Sequence, residues 1–389
     1  MDFDLRERTL LLVVGGSRAY GIHRATSDVD VKGVGVPPAR YLHGFAHRFE
    51  QADGKDTIRD AFTDLLTDAD ERRAAEEQGL EGTVFELRKF MSLAAEANPN
   101  ILDVLFCRDE EVRLSSLAGR RLREQRDAFL STKVRHTFSG YAMAQLKRIV
   151  GHRQWLLDPP KGPPSRAEHG LPEQTLIPAD QLAAATAAVR KQVDRWELDL
   201  SGVPAATVEH VKESVSRAVA EIGSALRLDE QDARWLAAAR TIGLDDNLVE
   251  AMRREREYES AARRWRQYRD WKASRNAARA ELEAKHGYDT KHGAHLVRLL
   301  RMGIEALRTG RVVVWRGAGG AGDAEELLAI RAGAWSYDEL MAWAQEAERE
   351  LQEVGGSGVS PLPRAPDREA LDALCIELVE TVLRDGVVR

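Results

Sequence analysis

Cysteine is nearly absent from this chain: Cys107 and Cys375 are the only two in 389 residues. Two thiols so far apart build no disulfide framework and lack the spacing of a zinc site. Both are expected to be small buried hydrophobes in a reducing, cytoplasmic setting. Long apolar runs are missing too, and no stretch approaches the roughly 18 residues of a membrane span. The opening MDFDLRERTL is acidic and mixed, where a secretory signal would be basic and then apolar. A large excess of one charge is also lacking. The net charge of -6 argues against a uniformly basic nucleic-acid binder and leaves room for a local basic patch. What is present, 43% hydrophobic and 31% charged residues, supports a real core under a polar surface. A length of 389 residues favours two domains.

The most informative stretch is LLVVGGSRAYGIHRATSDVDVKGVGV, residues 11–36. It reads as a buried strand, a Gly-Gly-Ser turn, a short helix, and a second strand carrying Asp28 and Asp30. Two residues apart on a strand, the carboxylates share one face with Lys32, while Val29 and Val31 take the other. Paired acids repel each other, so a fold that keeps them usually has a cation for them to hold. Gly15 and Gly16 allow close backbone approach to a ligand, and Ser17 sits where a new helix offers N–H groups to an anion. A phosphate cradle opposite a metal-binding acid pair suits phosphoryl or nucleotidyl transfer. A tight turn followed by two solvated acids is the plain alternative.

Apolar-Gly-Gly-Ser, a gap of ten residues and then Asp-x-Asp resembles the signature of the DNA polymerase beta nucleotidyltransferase superfamily. ELRKFMSLAAEANPNILDVLF, SGYAMAQLKR, GYDTKHGAHLVRLLRMGIEAL and ELLAIRAGAWSYDELMAWA follow in order. Together they look like its RNA-repair-pathway branch. The resemblance implies an α+β chain: a polymerase-beta-like catalytic domain at 1–110, with a small mixed sheet, then a mostly α-helical domain at 111–389. It implies two Mg²⁺ ions (Mn²⁺ as the alternative) and an NTP as substrate. A third carboxylate is also implied. Glu81 holds that position, Glu86 is the fallback, and an acid in the Asp53–Asp60 stretch is a more distant choice. The acceptor implied is an RNA end, with nucleotidylation of a protein or small molecule, or non-catalytic RNA binding, as the competing readings.

Before residue 110, Tyr41–Gly79 reads as loop with some helix, Gly82–Phe85 as a strand, and Glu86–Glu96 as a helix. Asn98-Pro99-Asn100 stops that helix, and NILDVLFC reads as a helical turn followed by a strand. Beyond it the pattern is helical. Tyr141, Gln145 and Arg148 share one face with Lys147 beside it; the resemblance implies that these four contact nucleotide, the alternative being Tyr141 in the core and solvated cations. Asp158–Pro178 is a Pro-rich connection. Ala179–Lys285 is Ala-, Arg- and Glu-rich, with a helix cap at Asp229. Within residues 251–280, ten Arg/Lys against four Asp/Glu are interleaved with Tyr258, Trp265, Tyr268 and Trp271. Such a surface suits single-stranded nucleic acid, or an amphipathic helix with the aromatics in its core. Lys291, His295 and Arg298 fall on one helix face with His292 alongside, a basic stripe for a triphosphate or an RNA end. RVVVWR (311–316) reads as a short strand, GAGGAG (317–322) as a turn rather than a P-loop, and Ser336–Glu339 as a capping box. A Gly/Ser/Pro linker at 355–366 precedes a last amphipathic helix, Asp367–Arg384.

Overall fold

Five strands make one mixed sheet in the order β3-β4-β2-β1-β5. They are β1 (Thr9–Val14), β2 (Val29–Gly35), β3 (Gln51–Ala52), β4 (Leu80–Glu86) and β5 (Val112–Ser115). The computed structural model describes residues 2–175, 178–196, 230–275 and 277–389. β1 is buried along its whole length, as a continuous apolar run in a strand with neighbours on both sides should be. It runs antiparallel to β2 and β5, and β2 runs parallel to β4.

Alternation along β1 feeds two hydrophobic layers. Leu12 and Val14, with Val29, Val31 and Val84, pack against Ile58, Phe62, Leu66 and Ala74 on one face. Leu11 and Val13, with Val34, pack against Leu87, Phe90, Leu371, Leu374 and Leu378 on the other. Leu10 joins the same layer as Leu11 because the β1–β2 register slips between Thr9 and Leu11, which turns two successive side chains the same way. The Tyr41–Gly79 stretch supplies real helices here, Lys55–Phe62 and Ala69–Gln78.

A third cluster lies among the helices Val134–Leu157, Thr290–Thr309, Ala324–Arg331 and Tyr337–Gly356. Tyr20 and Ile22, just after the Gly-Gly-Ser turn, are buried in it. Gly303 lets two of these helices close up, since a Cβ there would lie 3.0 Å from Phe138 and from Leu351. The expected capping box is present at Ser336 and Glu339, and Asp367 caps the last helix, Arg368–Asp385.

Three local readings are corrected. NILDVLF is helical throughout (Pro99–Phe106), because Asn98 caps it and Pro99 takes the first helical position instead of blocking it. Val112–Ser115, within the stretch read as helical, is a strand that pairs with β1. RVVVWR forms no strand. Its Arg316 amide donates to the Tyr20 carbonyl, and its buried guanidinium is clamped between Glu305 and Asp323, both at 2.7 Å.

By packing, the chain divides into residues 1–157 with 276–389, and residues 158–275. This grouping differs from a cut at residue 110, because Tyr20 and Ile22 are buried among the later helices and Leu371, Leu374 and Leu378 are buried against the sheet. The second unit holds helices Ala179–Trp196, Glu230–Thr241 and Asp246–Ser274 around Val189, Trp235, Ala238, Val249 and Met252. In the last of these helices Trp265, Tyr268 and Trp271 form a ladder of rings 5.7 and 5.9 Å apart, with Tyr268 buried. Arginines of this helix are held by its acids, Arg253 by Glu250 and Glu257 and Arg254 by Glu250, and its Glu255 pairs with Arg166. The cap read at Asp229 lies outside the described residues. Among the described residues, no helix is long and apolar enough to cross a membrane.

Candidate active site

The first two strands bring the candidate acids to one place. Gly15 ends β1 and donates its amide to the Asp30 carbonyl at 2.8 Å, which extends the β1–β2 pairing by one residue. Its N–H is therefore occupied by the sheet and is not free for an anion. Gly16 follows in the left-handed region (φ 58°) and opens a single helical turn, Gly16–Ala19, with Ser17 half-buried inside it. A Cβ on Gly16 would overlap the Asp30 carboxylate, lying 2.9 Å from its Cγ. Glycine is needed there for conformation and for space.

Asp28 sits immediately before β2, and Asp30 and Lys32 lie on it, all three half-buried. On the parallel neighbour β4, Glu81 is the register partner of Asp30. Glu86 is elsewhere and otherwise engaged. It is buried at the far end of β4, caps the Leu87–Ala95 helix through the amides of Arg88 and Lys89, and pairs with Arg88 at 2.9 Å. Glu81 pairs with Lys55, which is largely exposed.

Replacing Glu86 with alanine is accordingly expected to cost about 1 kcal/mol as a lost helix cap. Glu81→Ala is expected to leave stability within about 0.5 kcal/mol and to lower activity about a hundredfold. Thermal melts beside turnover assays on the two variants check this assignment. It fails if Glu86→Ala is the inactive one.

The electrostatics show mutual proximity. Burial first, then the Asp28 carboxylate, holds Asp30 above its ordinary range; Lys32 and Lys291 oppose this, and Glu81 adds to it. Lys291, exposed on the first turn of the Thr290–Thr309 helix, therefore senses the acid cluster from the helical half. Burial pulls the Lys32 ammonium below its usual range against the pull of Asp103 and Asp30, and its Nζ donates to the Asn100 carbonyl at 3.3 Å.

The rest of the expected basic stripe is arranged differently. Arg298 is buried, with its guanidinium 3.6 Å from the centre of the Tyr20 ring. Burial, helped by Arg298, His292, Lys32 and Arg148, pushes His295 down to about 2, so it is a neutral imidazole near pH 7. His292 turns its Nε2 toward Asp289, 3.5 Å away. Tyr141 is partly buried against the helical core and accepts a hydrogen bond from Asn98 at 2.9 Å, as the core reading expected. Lys147 and Arg148 are exposed, and Arg148 donates to Gln145 at 3.4 Å.

Sequence reading missed Tyr20 and Asp103. The Tyr20 hydroxyl donates to Asp103, a buried carboxylate whose second oxygen has no hydrogen-bond partner among the described residues. A lone aspartate inside the apolar run ILDVLF was the available signal.

Residues 4–155 match the RNA repair pathway DNA polymerase beta family. The match covers less than half of the 389-residue chain. The matched residues contain the whole sheet, the Gly-Gly-Ser turn, Asp28, Asp30 and Glu81, and the match supports a polymerase-beta-like nucleotidyltransferase of an RNA repair pathway. The GYDTKHGAHLVRLL segment lies outside the match. Comparisons with curated proteins and with solved structures returned no match.

Proposed function

We propose that the protein transfers a nucleoside monophosphate from an NTP to a hydroxyl of an RNA end, tRNA-like in character, in RNA repair or processing. One observation carries this reading: Asp30 and Glu81 stand in register on neighbouring parallel strands, with Asp28 two residues before Asp30. Three carboxylates form an all-oxygen donor set of the kind Mg²⁺ prefers, and Asp30, held above its ordinary range, has a cation to gain. Two Mg²⁺ ions, or Mn²⁺, held by Asp28, Asp30 and Glu81 would supply charge neutralisation at the α-phosphate and a lowered pKa for the attacking hydroxyl.

The chain's own residues do the positioning. Gly16 keeps the backbone clear of the Asp30 carboxylate, and the Gly16 and Ser17 amides, at the start of a helical turn, face the phosphates. Lys32 fixes Asp30 from within, and Lys291 approaches from outside to neutralise the triphosphate. Lys147 and Arg148 extend that positive flank, while His295 contributes as a neutral hydrogen-bonding group. Arg298, beneath Tyr20, supports this wall from behind. In this reading residues 1–110 carry the chemistry and residues 111–389 bind nucleotide and acceptor.

Incubation with labelled NTPs, Mg²⁺ and either RNA or protein extract tests the proposal. RNA is expected to take up label, and a chelator is expected to abolish it. Label appearing only on protein would replace the RNA acceptor with a protein one.

A further inference from the structure

A second cluster of metal-ligating side chains lies apart from the three carboxylates. His152 is in the last two turns of the Val134–Leu157 helix, and Asp289 and His292 are at the start of Thr290–Thr309. One ligand atom from each lies within 4.8 Å of the others. Asp289 is fully buried, whereas the two imidazoles keep 15% and 18% of their surface exposed. That leaves the cluster with a closed side and an open one.

The spacing is informative. Asp289 Oδ2 is 3.4 Å from His152 Nδ1 and 3.5 Å from His292 Nε2. Asp289 is paired with both rings at these distances. The two distances also equal the edge of a tetrahedron around an ion bound at ~2.1 Å, which is ~3.4 Å. The residues are also held in place. Asp289 accepts the His292 amide through Oδ1 as a helix cap, which aims Oδ2 at the rings. Arg153 donates to the Gly287 carbonyl at 2.7 Å and so ties the loop before Asp289 to the helix that carries His152. Trp155 stacks on the His152 ring with centroids 5.5 Å apart.

We propose that His152, Asp289 and His292 form a binding site for a zinc-type divalent transition metal, with a fourth position open to solvent. Two imidazole nitrogens and one carboxylate are the donor set of zinc and its first-row neighbours; Mg²⁺ prefers oxygen alone. The site is thus chemically distinct from the acid cluster and stands independently of the activity proposed above. A bound ion clamps the end of one helix to the start of the other, and these two helices carry Arg148, Lys291 and His295.

The test uses full-length protein carrying Asp28→Asn and Asp30→Asn, so that the acid cluster does not contribute. After chelator treatment and dialysis it is loaded with Zn²⁺ for metal analysis and titrated with Co²⁺ for visible absorption. One retained equivalent of Zn²⁺ and the intense ligand-field bands of tetrahedral Co²⁺ are expected. Adding His152→Ala or His292→Ala should weaken binding by at least the roughly 10–100-fold that loss of even an outer-sphere partner costs, with far-UV circular dichroism unchanged. No retained Zn²⁺, an octahedral Co²⁺ spectrum, or unchanged binding in both histidine variants overturns the proposal. Should those variants fail to fold, the metal content of the Asp28→Asn/Asp30→Asn protein decides by itself.

Discussion

Replacing Asp28 and Asp30 together with asparagine is expected to lower nucleotidyl transfer at least about a thousandfold, because several kcal/mol of metal-borne charge stabilisation is lost. The same double variant, free of metal, is expected to be slightly more stable than the wild type. Asp30 is held above its ordinary range by burial and by Asp28, with Glu81 adding to the repulsion, so the folded metal-free protein carries electrostatic strain. Asparagine keeps the shape and removes the charge. Lys32 retains the Asn100 carbonyl and the nearby Asp103, and Lys291 is exposed, so little is lost in exchange. A gain on the order of 1 kcal/mol, a few degrees in melting temperature for a protein of this size, is the expected scale.

The pH dependence has a definite sign. A carboxyl whose native pKa is raised binds more protons folded than unfolded, so its contribution to stability falls as pH rises through the interval above 3.8. Metal affinity moves the opposite way and improves over that interval as Asp30 ionises. Melts of both proteins with chelator and with Mg²⁺, across that range, check both statements. A metal-free double variant that melts well below the wild type would show that the acids are structural, and retained transfer would remove them from the chemistry.

Gly16→Ala is expected to lower transfer about 100–1000-fold, comparable with losing a first-rank transition-state contact. The left-handed backbone at φ 58° costs a non-glycine residue ~1–2 kcal/mol. The added methyl also collides with the Asp30 carboxylate, which must swing away from Asp28 and Glu81. Gly15→Ala is the control. The nearest atoms to its Cβ would be those of the Lys32 side chain, from 3.6 Å, an ordinary contact. That variant should stay within about 1 kcal/mol of the parent in stability and within about tenfold in rate. Equal activity in the two variants would mean that the close approach at Gly16 does not hold Asp30 in place.

What the chain spells out locally, it spells out well. The apolar run from Leu11 to Val14 reads as a buried strand, which the structure extends back to Thr9, and the Gly-Gly-Ser turn before Asp-x-Asp announces the acid pair. The Ser336–Glu339 capping box was legible because caps act within one turn. Local rules also misled. Asn-Pro-Asn does follow the end of one helix, at Ala95, but it also starts the next, where a strand was expected, and RVVVWR has the composition of a strand but gives its amide at Arg316 to Tyr20.

By itself, then, the sequence determined the sheet's first strands, the positions of Asp28 and Asp30, and the helical character of the C-terminal half. Only the tertiary structure decided that Glu81 rather than Glu86 stands beside Asp30, because strand register is a property of the pair and not of either strand. It also decided that Arg298 lies under Tyr20, that His295 is neutral, and that His152 meets Asp289 and His292. Helical periodicity states which residues share a face. What that face is pressed against, and so whether a basic side chain stays charged and reachable, depends on burial by segments far away in the chain.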